Sequence, residues 1–216
     1  MSHSIKFLFI LPVFALKLLA DPILSSWFTE SSGQYARIYE TAADELALNP
    51  VTTWSHPNNG SGQALPTYAG VHEIAYTDTN VYVRTSGLGF HIMGPWYLNE
   101  ARTNLFPNYP ANTSAIFRFP RAPGTPPISK TVTGNGIIGY FADGIGMFDS
   151  RDAFSYSNSN AGDARPNSSF TGDGIWNRDA YINESVTFDS ANAHQAGINH
   201  HYHANPPALR HLIGGS

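Results

Sequence analysis

The sequence predicts a mainly β domain, an antiparallel sandwich or twisted pair of sheets with long loops and one short C-terminal helix, and three observations carry that prediction. Short runs rich in β-branched and aromatic residues recur along the chain, at 73–77, 81–85 and 115–119 among others. Turn formers separate them, with 19 Gly and 15 Pro in 216 residues. Hydrophobic residues make up 42% and charged residues 13%, so the chain has enough apolar area to offset the entropy of ordering it.

The elements follow in order. Residues 1–20 read as a signal peptide: Lys6 precedes an apolar stretch interrupted only by Pro12 and Lys17, and cleavage after Ala20 leaves Asp21 as the mature N-terminus. The run is too short to span a bilayer, and no later segment is a candidate. Residues 35–39 suit a strand, 42–48 a helical turn stopped by Pro50, and 57–60 a turn. The short polar link at 77–80 makes 73–77 and 81–85 an antiparallel hairpin. Pro120, Pro123, Pro126 and Pro127 force the next segment across the surface. A buried strand is expected at 137–142, a Ser/Asn/Gly/Asp loop at 155–173, strands at 186–188 and 200–203, and a helix over 207–213.

Composition narrows the functional classes. The net charge of −4 gives no basic field for a phosphate backbone, so no nucleic-acid partner is expected. Without cysteine there is no disulfide framework, iron–sulfur cluster or thiolate metal site. Ser155, Ser185 and Ser190 lack a G-x-S-x-G elbow, which argues against a serine hydrolase. Trp27, Trp54, Trp96 and Trp176 share no regular spacing and read as core residues, not as a sugar-stacking platform.

The chemistry concentrates near the C-terminus, where His194, His200, His201, His203 and His211 make up five of nine histidines. Side chains alternate along a strand, so His201 and His203 share one face while His200 and Tyr202 share the other. Such a His-x-His pair is a two-point clamp for a divalent transition metal, zinc or copper. His194 is the favoured third ligand, followed by Asp143 or Asp149; His91, Asp173, Glu184 and Asp189 are further donors or outer partners. Because neutral imidazole is the binding form, occupancy is expected to fall below roughly pH 6. The competing reading is that the histidines only pack.

Several stretches occur in a set order: FHIMGPW (90–96), LFPNYP (105–110), FRFP (117–120), IGYFADG (138–144), MFDSRDA (147–153), GDGIWNRDAYINESVTFD (172–189), AHQAG (193–197) and HYHANP (201–206). Together they resemble the YHYH domain family of exported bacterial and eukaryotic proteins. His200 stands where the family motif has its first Tyr, giving HHYH. The resemblance implies one domain over 21–216, incomplete at its C-terminus relative to family members, and an extracytoplasmic location. It implies no reaction, so three roles stay open: a metal-dependent enzyme, a metal-binding or small-molecule-binding β module, and a structural surface module.

Overall fold

The computed structural model describes Trp27 and residues 33–134, 136–159, 161–164 and 177–214. The expected signal peptide, Asp173 and Trp176 lie outside the described residues.

The fold is mainly β, with its strands distributed over several small open sheets and a short C-terminal helix. The chain opens with β1 (Arg37–Ile38), α1 (Ala42–Leu46), β2 (Trp54–Ser55) and β3 (Gly62–Gln63). Helix α1 starts where Thr41 and Asp44 form a reciprocal capping box, which satisfies donors the first turn would otherwise leave open. Next come β4 (Val71–Tyr76), β5 (Asn80–Thr85), β6 (Ile92–Met93) and β7 (Ala115–Pro120). Strands β4, β5 and β7 form an antiparallel sheet in the order β4-β5-β7, as the hairpin signal at 77–80 predicts. Strand β1 pairs in parallel with β6 and brings Ile38 and Met93 into a core with Trp54, Leu88, Phe90, Trp96 and Tyr109. Two of the four tryptophans, Trp54 and Trp96, are therefore core residues, and Trp27 packs against the cluster of Val71, Val81, Val83 and Phe117.

The second half supplies β8 (Ile137–Tyr140), β9 (Gly146–Phe148), β10 (Arg151–Ser157), β11 (Gly162–Ala164), β12 (Asn177–Asp179), α2 (Ala180–Glu184), β13 (Ala193–Ala196), β14 (Asn199–Tyr202) and α3 (Pro207–Leu212). Strands β13-β14-β9-β8 form one sheet, in which β14 lies antiparallel to β13 and parallel to β9. Between β8 and β9 the chain turns at Gly144, with φ of +77°. A Cβ there would sit 2.3 Å from Thr85 Oγ1, so no larger residue fits.

Three sequence expectations need correction. Strand β8 is at the sheet edge, and Ile137 and Ile138 are each 47% exposed, so it is not buried. The supposed loop from 155 begins inside β10, which pairs with β11 as a hairpin; its Ser-rich composition concealed the alternation of buried Ser155 and Ser157 with exposed Tyr156. Residues 186–188 are not a strand. Ser185–Thr187 is a 3₁₀ turn continuing from α2, held by Thr187 Oγ1 donating to the Glu184 carbonyl at 2.6 Å.

Candidate metal centre

A two-residue turn sets the geometry of the site. Ala196 pairs with Asn199 across Gly197-Ile198, and Gly197 takes a φ of +62° at the first turn position, as tight hairpins require. This register places His194 directly opposite His201. His203 follows two residues after His201 and so joins the same face. The nitrogens of His194, His201 and His203 all lie within 4.8 Å of one another.

Each ring uses Nδ1 outward. His201 Nδ1–H donates to the Asn199 carbonyl at 3.0 Å, and His203 Nδ1–H donates to the Asp149 carbonyl at 3.2 Å. Because the Thr187 hydroxyl proton goes to Glu184, Thr187 Oγ1 is left to accept from His194 Nδ1–H at 2.7 Å. The hydrogen-bond network thus assigns one tautomer to all three imidazoles, leaving three Nε2 lone pairs turned inward.

Glu184 adds a carboxylate beside two of the three rings. It ends α2, which begins where the Asp179 side chain accepts from Ile182 N at 3.0 Å. Its Oε2 lies 3.2 Å from His194 Nε2 and 3.4 Å from His203 Nε2, while the Nε2 atoms of His201 and His203 are 3.0 Å apart. Four donors around a tetrahedral zinc, with bonds of about 2.0–2.1 Å, stand roughly 3.3 Å from one another. These three separations fall on either side of that value, and His194 offers a nitrogen within 4.8 Å of those of His201 and His203.

Aromatic rings enclose the imidazoles. Phe148 stacks on His201 at 3.6 Å between centroids, Phe188 meets His194 edge-on at 5.1 Å, and Phe106 lies 5.4 Å from His194. Burial disfavours imidazolium and pulls His194 down to about 4, against the opposing charges of Asp189 and Asp152. Burial lowers His201 to about 2, with repulsion from His194 adding to it. His203 is lowered by burial and by His194, against the pull of Glu184. Burial and the adjoining Asp152 carboxyl push Glu184 up to about 7, against His203. Asp152 is itself held by Arg178, whose Nε donates to it at 2.7 Å.

The structure brings together His194, His201 and His203 but gives the two predicted aspartates other partners. Asp149 contributes its main-chain carbonyl to His203, while its carboxylate accepts from Thr133 Oγ1, from Arg151 N at 3.0 Å and from Arg151 Nε at 2.9 Å. Asp143 is fully buried, accepting from Tyr202 OH at 2.8 Å and from Ile145 N at 3.1 Å. Tyr202 belongs to the face opposite His201, so Asp143 is turned from the cluster. His211 is exposed on α3. His91 and Asp189 meet His200 in a separate group.

The profile of the YHYH protein family matches residues 116–216, which contain all four converging side chains. Residues 116–216 belong to the YHYH family. In the YHYH region β14 carries the motif's first histidine, His201, and its second, His203, lies just past the strand's end. Comparison with curated proteins and with solved structures finds no match. Among the described residues no helix is long and apolar enough to cross a membrane.

Proposed function

We propose that this chain is an extracytoplasmic metal-binding protein whose YHYH region holds a divalent transition ion through His194, His201, His203 and Glu184. One observation carries the reading: the Nε2 atoms of His201 and His203 face each other at 3.0 Å after both rings have donated through Nδ1. Two lone pairs at that separation repel unless a cation lies between them, and burial in the aromatic shell opposes a proton there. A metal ion removes the conflict and neutralises the cost of burying Glu184. Three imidazoles, one carboxylate and no sulfur suit zinc, with copper the next choice. Four protein donors close the coordination shell, which favours metal holding over metal catalysis.

Elemental analysis of tag-free protein tests the reading, with zinc or copper expected at the site in wild type. His201→Ala and His203→Ala are each expected to abolish that binding. Equal affinity in wild type and the double variant leaves the histidines as packing residues only. Export rests on Lys6 and the apolar run to Ala20, and N-terminal sequencing of secreted material is expected to begin at Asp21.

A second reading has its own observation. His203 borders a cavity of about 450 Å³ lined by apolar Ile138, Phe141, Met147 and Phe148. If Glu184, which is 20% exposed, swings away, a small molecule in that cavity reaches the ion and the centre becomes catalytic. Cobalt-substituted protein discriminates: a visible spectrum that shifts on adding azide supports an open position, and an unchanged spectrum supports the closed centre.

A further inference from the structure

The opposite face of β14 carries a second convergence of donors. His200 is completely buried, and neither of its ring nitrogens has a hydrogen-bond partner among the described residues. Leaving buried nitrogen atoms unmatched is costly, so an unpartnered imidazole in a core needs a reason. Its Nε2 lies 3.9 Å from Asp189 Oδ2, beyond hydrogen-bond distance but within reach of a shared ion. His91 Nε2 lies 3.3 Å from the same oxygen, and the three donor atoms all fall within 4.8 Å of one another.

Asp189 is fixed before any ion is considered. Its Oδ1 accepts main-chain N–H groups of Ala191 at 2.9 Å and Ala193 at 3.3 Å, and its Oδ2 accepts Gly94 N at 3.1 Å. These bonds orient the carboxylate so that Oδ2 faces both imidazoles. The rings are held as well: Trp96 packs edge-on to His200 at 5.7 Å, while His91 and His200 lie 5.8 Å apart between centroids. Two imidazoles and one carboxylate form a donor set that suits zinc, iron or copper without sulfur.

We propose that His91, His200 and Asp189 form a second divalent-metal site, on the face of β14 opposite the three-histidine centre. The first position of the motif then acquires a role of its own. Where the motif has Tyr, a phenol would supply no neutral nitrogen donor, whereas His200 completes a two-histidine, one-carboxylate set. The two sites share a strand but no ligand, so each stands without the other.

Metal stoichiometry of the full chain, reconstituted with excess zinc and freed of unbound ion, tests the proposal. Two equivalents are expected in wild type, falling to one in His200→Tyr and in His91→Gln, with circular dichroism confirming that each variant folds. His201→Ala/His203→Ala is expected to keep one equivalent, and adding His200→Tyr to that variant is expected to remove it. If wild type and both second-site variants all bind one equivalent, and only the His201→Ala/His203→Ala variant loses it, the second site is overturned and the first retained. If His201→Ala/His203→Ala leaves two equivalents unchanged, the first site fails. No bound zinc in folded wild type overturns both.

Discussion

Thr187 accepts from His194 Nδ1 at 2.7 Å while its own proton goes to the Glu184 carbonyl at 2.6 Å, so one hydroxyl sets the tautomer of a ring that faces the cluster. The bond also ties α2 to the β13-β14 hairpin, since Thr187 follows the helix that delivers Glu184. Thr187→Val keeps the shape and removes both bonds. Outer partners of metal-bound histidine typically contribute 10- to 100-fold in affinity, so a loss of about that size is expected. Competition against a chromophoric zinc chelator measures it, and unchanged affinity would remove Thr187 from the site.

Glu184→Gln separates holding a metal from folding around it. In the metal-free protein Glu184 is half-buried beside the Asp152 carboxyl, and partial burial together with that neighbour raises its pKa to about 7, above which the pair repels. The amide removes the repulsion and also removes the charge that balances a cation. Metal-free stability above pH 7 is expected to rise by about 1 kcal/mol, while zinc affinity falls at least tenfold. Urea unfolding with chelator and zinc titration measure the two effects; movement in the same direction contradicts the assigned role.

Much of this arrangement was legible in the sequence. Alternation along a strand predicts His201 and His203 on one face, and the antiparallel register adds His194. The glycine of Gly197-Ile198 is the signal that fixes that register, a two-residue turn between short runs of strand formers. Glu184 was harder to place, because Val186 and Phe188 suggest a strand where Ser185–Thr187 forms a 3₁₀ turn. Local propensity lost there to the Thr187 bond back to Glu184. Asp143 and Asp149 are near β9 as expected, but Tyr202, Thr133 and Arg151 occupy their carboxylates. The meeting of His91 with Asp189 spans 98 residues of sequence, and no local pattern announces it.

The buried histidines make the metal-free fold acid-sensitive. His194 titrates near 4 and His201 near 2 in the folded chain, against about 6.5 unfolded. Below pH 6.5 the unfolded chain therefore binds more protons than the folded one. Their contribution is fully present above about pH 6.5 and is lost as pH falls, down to about 4 for His194 and about 2 for His201, at up to about 1.4 kcal/mol per pH unit for each ring. Glu184 has the opposite sign: its raised pKa gives a contribution that is present below 4.5 and lost as pH rises through about 7. Urea midpoints with chelator are expected to fall from pH 7 to pH 5, and His201→Gln is expected to flatten that slope. Equal slopes contradict burial as the cause. Zinc titration from pH 7 to pH 4 tests whether occupancy falls at about 6, the free-histidine value, or lower, where burial keeps the rings neutral.

Tyr202, the second tyrosine position of the motif, carries a different load from its neighbours. Its ring is completely buried, packs edge-on against Phe141 at 5.1 Å, and donates its hydroxyl to Asp143 Oδ2 at 2.8 Å. Burial raises the Asp143 pKa, and the Tyr202 hydroxyl is among the groups that favour its charged form. Tyr202→Phe keeps the packing but leaves a buried carboxyl short of one donor, which costs about 1–3 kcal/mol. The side chain points away from His201 and His203, so zinc affinity at the three-histidine centre is expected to stay within about twofold. Urea unfolding is expected to show a lower midpoint with unchanged slope, because the exposed surface on unfolding is the same. A variant of wild-type stability but tenfold weaker zinc binding would place the Tyr202–Asp143 pair in the metal centre instead. Lower stability with intact binding assigns alternate positions of one strand to separate tasks, His201 and His203 to the ion and Tyr202 to the core.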